Sequence, residues 1–207
     1  MTTFLAQHGS ELIVKTWQQI SISFIALALG IIVAVPLSLI LMKFHRTAKV
    51  VIALASMLQT IPALALLAMM IPFFGVGRVP AIIALFLYSL MPILRNTYVG
   101  LTSVNPDTID SARGLGVTEV QLMLKVDIPL AMPVIMAGIR LSAIYIIAWA
   151  TLASYIGAGG LGDFIFNGLS LYQPDLIFAG TIPVIILALL TDYLLGKLEH
   201  KITPQGI

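Results

Sequence analysis

The sequence has 207 residues, of which 59% are hydrophobic and only 10% are charged, and its mean hydropathy is +1.06. A soluble domain carries about 25% charged residues, so this composition excludes a water-soluble globule. Disorder is excluded as well, because disordered chains combine low hydrophobicity with high net charge, and the net charge here is only +2. We therefore predict an integral membrane protein that does not bind nucleic acid.

Five apolar stretches approach or exceed the length of about 20 residues that a helix needs to cross a bilayer. They cover about residues 20–42, 50–74, 80–99, 130–152 and 176–195. The sequence therefore predicts an all-α, polytopic membrane helix bundle with about five transmembrane helices, in one domain over residues 1–207. The segment 4–19, which is mixed in polarity, is predicted to be an interfacial lead-in to the first span.

The positions of the cations predict the orientation, because Lys and Arg are enriched on the cytoplasmic side of a membrane protein. With the N-terminus outside, only two of them, Lys15 and Arg78, lie on the outer side. The inner side then holds eight: Lys43, Arg46, Lys49, Arg95, Arg113, Lys125, Lys197 and Lys201. We therefore predict an outer N-terminus and an inner C-terminus.

The inner loop at about residues 100–128 carries strong local signals. Asn105 followed by Pro106 predicts an N-cap and the first residue of a helix, and the glycines at 114 and 116 predict its end after roughly two turns. Thr118 and Gln121 have the spacing of a capping box, which predicts a second short helix towards Lys125. Pro129 is predicted to begin the next span. Two short helices joined at a glycine bend would form a compact knob; an ordinary loop with some local helix is the alternative.

The spacing within this loop resembles the EAA loop of ABC importer permeases. The residues that carry the resemblance are Asp110, Ser111, Ala112, Gly116 and the ending Val126-Asp127-Ile128-Pro129, with Asp in place of the usual Glu and Ser in place of the first Ala. The resemblance implies a type I ABC importer permease fold. It also implies that the loop docks in a cleft of a separate cytoplasmic ATPase, where Asp110 and Arg113 would make polar contacts.

Three other segments resemble the osmoprotectant branch of these permeases: Gln59–Leu67, Ala137–Arg140 and Tyr155–Gly162. This resemblance implies a multi-pass protein of the bacterial cytoplasmic membrane that translocates glycine betaine, carnitine, choline or proline betaine. An importer of methionine or another amino acid is the alternative within transport. A non-transporting membrane scaffold or an enzyme subunit is the alternative from a different class.

The resemblance also implies partners. These are a second permease subunit, identical or related, two ATPase subunits that use ATP and Mg, and an extracytoplasmic substrate-binding protein. Some members of the branch carry a fused binding domain after the last span, whereas this sequence ends at Ile207, so we expect the binding protein on a separate chain. The sequence lacks the motif GxxxxGK[ST], and we expect neither catalytic residues nor a cofactor bound by this chain. The three histidines are too far apart to predict a metal site.

Two charged residues lie inside predicted spans, Arg140 and Asp192. A charge within the bilayer is expensive, so it is usually paired or faces a cavity. One hypothesis is a structural ion pair between these residues, and the other is that Arg140 lines the translocation path.

The centre of the second span is polar and contains a proline, in the order Gln59, Thr60, Ile61 and Pro62. One interpretation is a proline kink whose freed carbonyl is satisfied by neighbouring groups. The other is a partly polar wall of the pathway.

Aromatic side chains of the third and fourth spans are further candidate pathway or gate residues: Tyr88, Tyr145, Trp149 and Tyr155. Aromatic faces attract quaternary ammonium groups, although aromatic residues at the ends of spans are more often interfacial anchors. The run Gly157–Gly162 matches the dinucleotide pattern GxGxxG, but it lacks the βαβ context. We predict a glycine turn at the outer mouth instead, contributing to the gate or to reception of the binding protein.

Overall fold

The computed structural model describes the backbone of residues 2–203 and the side chains of residues 8–203, and every regular element in these ranges is helical. The α-helices are α1 (Thr2–Leu41), α2 (His45–Thr60), α3 (Ala63–Phe74), α4 (Arg78–Thr102), α5 (Pro106–Gly114), α6 (Glu119–Leu122), α7 (Ile128–Ala150), α8 (Gly162–Ser170) and α9 (Pro174–Ile202). A π-helical turn, Met123–Asp127, precedes α7, and a 3₁₀ turn, Leu152–Ile156, follows it.

The direction of the helices shows how often the chain crosses the bundle. Helices α1 and α4 run parallel, because Gly30 packs against Ser89 while Ser38 Oγ donates to the Leu94 carbonyl at 3.1 Å, further along both helices. The chain between them must therefore return across the bundle. Helices α2 and α3, which are bent by 98° relative to each other, together make that crossing. Within residues 2–203 the architecture thus has five crossings, with the bent pair counted as one, and Thr2 and Ile202 lie on opposite sides.

Helices α4 and α7 form the antiparallel centre of the bundle. Gly100 lies against Ala131, and Gly138 lies against the Pro92 carbonyl, so the two backbones approach closely at both points. Glycine and alanine permit this approach, which provides the van der Waals contact that holds helices together in a membrane. Helix α1 packs on α4, and α9 packs antiparallel to α7 on the outside of the bundle.

The predicted second span, at about 50–74, is broken at its proline-containing centre. The chain forms two helices there, because Pro62 cannot donate an amide hydrogen bond and the preceding residue is pushed out of the helical region. Ile61 accordingly has φ −70° and ψ 127°. The break lies where the sequence predicted a kink, but it is far sharper than a kink within one helix.

One expectation about the segments around the spans is wrong, and one element was not predicted. The stretch 4–19 is not a separate interfacial segment, because α1 runs through it without a break. Its 40 residues rise about 60 Å, which is more than the thickness of a bilayer, so its first turns project on the outer side. Sequence reasoning also missed α8, which lies at the outer end between the fourth and fifth crossings.

The inner loop forms two short helices, as predicted, but the second one is not a separate body. Helix α6 continues through the π-helical turn directly into α7. Pro129 therefore occupies the second position of α7 rather than beginning it after a loop. As a result, the part of the loop after Thr118 is a rigid extension of the central membrane helix.

Candidate functional site

The knob, defined as residues 105–122, is built by local hydrogen bonds. Asn105 caps α5, since its side-chain oxygen accepts from the backbone N–H of Asp107 at 2.9 Å, and Pro106 occupies the first turn. The Ser111 hydroxyl donates to the Asp107 carbonyl at 2.7 Å. The predicted cap and helix are therefore confirmed, and they need no support from the rest of the bundle.

A glycine turn and a capping box join α5 to α6. Gly116 has φ +79°, a conformation that side chains with a Cβ rarely adopt. Thr118 and Gln121 make both bonds of the capping box, which confirms that prediction. The turn is therefore fixed by backbone geometry on one side and by reciprocal hydrogen bonds on the other.

Arg113 fastens the two short helices to each other. Its Nε and Nη2 atoms donate to the two carboxylate oxygens of Glu119 at 3.2 and 3.4 Å. Hydrogen bonding to Glu119 is the main reason why the pKa of Arg113 is raised, so the guanidinium stays charged. Asp110 lies 3.9 Å from the same guanidinium and its side chain is largely exposed. Sequence reasoning had Arg113 facing a partner and missed this internal role.

The surface of the knob is not covered by the rest of the described chain, and it is partly apolar. No side chain of α5 is buried against the rest of the chain. Leu115 is 84% exposed beside the glycine turn, and Val120 and Leu124 are exposed on the following turns. Leucine and valine gain nothing from facing water, and exposed apolar patches are typical of contact surfaces.

Three of the predicted pathway residues meet inside the membrane and form the aromatic cluster, defined as Tyr88, Tyr145 and Trp149. The ring of Trp149 has its centroid 4.5 Å from that of Tyr88 and 5.3 Å from that of Tyr145. Tyr88 is buried in the main core, whereas Tyr145 is 40% exposed. The cluster thus joins α4 to α7 and leaves one ring uncovered.

The break between α2 and α3 lies against this cluster. The Tyr88 hydroxyl donates to the Ile61 carbonyl, and the Gln59 amide donates to the Tyr88 carbonyl at 3.4 Å. Thr60 and Pro62 are exposed at the same break, and the Thr60 hydroxyl donates to Met57 of its own helix. The structure therefore brings Gln59 and Tyr88 together at the break, and Trp149 and Tyr145 join them through ring contact with Tyr88.

Tyr155 lies elsewhere, in the 3₁₀ turn at the outer end. It is 65% exposed and its ring centroid lies 4.2 Å from that of Phe166 in α8. It therefore belongs to the outer surface rather than to the aromatic cluster.

Arg140 and Asp192 are placed together, as the pairing hypothesis requires. Arg140 Nε lies 2.9 Å from Asp192 Oδ1, and Nη1 lies 2.8 Å from Glu199 Oε2, so the guanidinium bridges two carboxylates of α9. Glu199 was not predicted as a partner. Because Glu199 stands near the inner end of α9, the arrangement lies closer to the cytoplasmic surface than a mid-membrane arginine would.

The predicted glycine turn at the outer mouth is held by α1. The backbone N–H groups of Gly160 and Leu161 donate to the side-chain oxygens of Gln18 and Gln19, at 3.1 and 3.2 Å. The Gln19 amide also donates to the Ile147 carbonyl at 2.8 Å. Gly160 has φ +97°, and a Cβ there would lie 2.6 Å from the oxygen of Gln19. These bonds form the outer clamp, which sequence reasoning missed.

An ion pair extends the outer clamp by one turn in each direction. Lys15 of α1 contacts Asp163 in the first turn of α8, and both side chains are mostly shielded from solvent. An aspartate in that position also interacts favourably with the N-terminal dipole of α8. The projecting turns of α1 therefore hold both the glycine turn and the helix that follows it.

Comparison with known proteins agrees with this architecture. Residues 26–204 match the family model "Binding-protein-dependent transport system inner membrane component". Two chains of the MetNI methionine ABC transporter, solved in inward-facing conformations, share the fold with TM-scores of 0.81 and 0.85. The alignments cover 93% of this chain and 97% and 96% of those chains, at 23% and 22% sequence identity.

Relatives of known function are similar over nearly the whole length. The carnitine transport permease protein OpuCB of Listeria monocytogenes is 58% identical, over 100% of this chain and 95% of the relative. The glycine betaine/carnitine/choline transport system permease protein OpuCB of Bacillus subtilis is 55% identical over the same shares. The choline transport system permease protein OpuBB of Bacillus subtilis is 53% identical, over 99% and 94%. The chain therefore belongs to the family of inner-membrane components of binding-protein-dependent transport systems.

Proposed function

We propose that the chain is the membrane-spanning permease of an ATP-driven importer for quaternary ammonium solutes such as carnitine, glycine betaine and choline. The similarity at 53–58% identity to permeases named for these solutes supports the substrate class. The methionine transporter chains share the fold at 22–23% identity, which supports the architecture and not the substrate. Methionine is therefore the weaker alternative.

The observation that carries the mechanism is the bare knob fused to α7. A coupling element has to be rigid, so that a partner's motion moves the membrane helices rather than bending the loop. The caps and the Arg113–Glu119 bond stiffen the knob, and the continuous helix from Glu119 to Ala150 connects it to the bundle centre. In this proposal the ATPase cleft receives α5 with Asp110, Ser111 and Ala112, together with the exposed side chain of Leu115.

The remaining partners follow from the same architecture. Five membrane crossings are too few to surround a pathway for a solute, so a second permease subunit, identical or related, completes the pathway. Two ATPase subunits bind ATP and Mg and sit on the two knobs, and an extracytoplasmic binding protein delivers the solute. This chain contributes binding surfaces and motion, while hydrolysis takes place in the ATPase.

Uptake by the reconstituted complex tests the proposal. The permease, its ATPase and its binding protein are placed in liposomes, and accumulation of labelled carnitine, glycine betaine, choline and methionine is followed with and without ATP. We expect ATP-dependent uptake of at least one quaternary amine and none of methionine. Uptake of methionine alone, or a complex that holds no ATPase, would contradict the proposal.

A further inference from the structure

Tyr88, the buried member of the aromatic cluster, lies at a depth that does not suit an interfacial anchor. Tyr88 stands ten residues after the start of the 25-residue helix α4, about 15 Å from that end at the helical rise. Tyr145 and Trp149 reach the Tyr88 ring through ring contact from the outer part of α7, where Trp149 is the second-last residue. Anchoring aromatics occupy the membrane–water boundary, where their polar atoms meet water. The Tyr88 hydroxyl instead donates to a backbone carbonyl inside the bundle.

Formal charge is absent from the sequence segments around the cluster. The chain carries no Lys, Arg, Asp or Glu between Lys49 and Arg78, between Arg78 and Arg95, or between Arg140 and Asp163. A cation at this level of the bundle is therefore stabilised only by aromatic faces and by carbonyl dipoles. The nearest fixed cation on α7, Arg140, is already matched by two carboxylates, so it does not repel a second positive group.

The rings are held in place, and one of them is open. The hydrogen bond to Ile61 fixes the Tyr88 ring, and Trp149 is held between the two tyrosines. On α7, Tyr145 lies on a partly exposed stripe with Leu141 and Ala148. The Tyr145–Trp149 pair, with rings 27° from parallel, therefore presents an aromatic surface to whatever passes along that stripe.

We propose that the aromatic cluster is a low-affinity site for the trimethylammonium group of the solute, in the outer half of the membrane-spanning bundle. This inference rests on the proposed function, because it places the same solutes at a second point of their path. A cation–π contact suits a transient binding site of this kind, because binding along a conduction path has to be favourable enough for entry and weak enough for release. The carbonyl of Ile61 fixes the Tyr88 ring that backs the site, and the amide of Gln59 bonds to the backbone of the same tyrosine.

Fluorescence of the complex in nanodiscs tests binding directly. The chain has two tryptophans, and Trp17 is 69% exposed on the outer part of α1, away from the cluster. Preparations carrying Trp17→Phe alone and Trp17→Phe with Trp149→Phe are titrated with tetramethylammonium chloride, with sodium chloride as the ionic control. We expect a saturable change at millimolar concentration in the first preparation and its loss in the second. Identical responses in the two preparations overturn the site.

Stepwise fluorination of Trp149 separates cation–π attraction from packing. Each fluorine weakens the negative face of the ring while barely changing its volume. With saturating binding protein, we expect the maximal rate of carnitine uptake to fall with every added fluorine, by about tenfold in total for a desolvated contact. The same series at Trp17 is the matched control and should leave the rate unchanged.

The outcomes distinguish the two proposals. If the complex transports carnitine but its maximal uptake rate does not change with fluorination of Trp149, the aromatic site is overturned and the proposed function stands. A wild-type complex that takes up no quaternary amine contradicts the proposed function. In that case the tetramethylammonium titration still decides whether the site binds such a group.

Discussion

The inner knob and the outer clamp hold their loops in opposite ways. In the knob every bond joins residues within six positions of each other, and no side chain of α5 is buried. In the outer clamp Gln18 and Gln19 bond to backbone groups 142 positions away. The knob is therefore rigid in itself and free on its surface, whereas the outer turn is fixed to the bundle. Substitutions in the knob should therefore lower ATP-driven uptake, whereas substitutions in the clamp should lower the free energy of unfolding.

The largest effect is expected for Gln19→Leu. The substitution leaves the Leu161 N–H and the Ile147 carbonyl without the partners they have in a buried site, which costs about 3 kcal/mol in the free energy of unfolding. Thermal unfolding of the purified protein measures it. Gln18→Leu, which removes one bond of the same clamp, is the matched control and should cost about a third as much. If neither substitution lowers the free energy of unfolding measurably, the clamp does not hold the outer turn.

A smaller effect, on coupling rather than on stability, is expected for Gly116→Val. A β-branched residue at φ +79° strains the turn by about 1–3 kcal/mol and moves α5 relative to α6. We expect ATP-driven uptake to fall about tenfold, the equivalent of about 1.4 kcal/mol, while the unfolding temperature of the bundle stays unchanged. Gly114→Ala is the control, because Gly114 is helical and has open space around it. If Gly116→Val unfolds the whole bundle, the stability of the bundle is not independent of the knob.

Arg140→Gln tests the junction of α7 and α9. Asp192 and Glu199 would lose their shared cation, but all three side chains are partly exposed, so we expect a loss of about 1.5 kcal/mol rather than the larger cost of a fully buried pair. Unfolding in denaturant measures this loss. The double change Arg140→Gln with Asp192→Asn should recover part of it. If Arg140→Gln leaves assembly, stability and uptake intact, both the structural and the pathway hypothesis are wrong.

The smallest effect is expected for Glu119→Gln. The bond to Arg113 is exposed and screened by solvent, so the unfolding free energy should hardly change. Because this bond joins α5 to α6, we expect a modest fall in uptake per ATP hydrolysed, measured in the same liposomes. Asp110→Asn, which removes a longer contact of 3.9 Å to the same guanidinium, is the control for the unfolding measurement only. A stability loss as large as that of Gln19→Leu would contradict the independence of the knob.

The same contrast explains what the sequence could predict. The caps at Asn105 and Thr118 depend on neighbours a few residues away, so their pattern is visible in the sequence and both were predicted correctly. The five crossings followed from hydropathy, because a bilayer requires apolar length. The position of the break at Pro62 was predictable for the same local reason, although its 98° angle depends on packing against α4.

Long-range bonds could not be predicted in this way. The outer clamp joins α1 to a loop far along the chain, and nothing in Gln18 or Gln19 alone identifies the partner. The second carboxylate on Arg140 was missed because Glu199 lies beyond the apolar stretch that defined the last span. The aromatic cluster was anticipated residue by residue, but only the fold shows that three of the four aromatics meet and that Tyr155 does not.

Site-directed cross-linking tests most directly whether the knob is the surface that receives the ATPase. The sequence contains no cysteine, so single cysteines can be introduced at Leu115 on the knob and at Val79 on the outer end, both exposed apolar positions. With a short thiol-to-amine reagent, Leu115→Cys should link this chain to the ATPase subunit, with a yield that changes when nucleotide is added, and Val79→Cys should give no such product. An ATPase that links equally at both positions, or at neither while the complex still transports, would contradict the account.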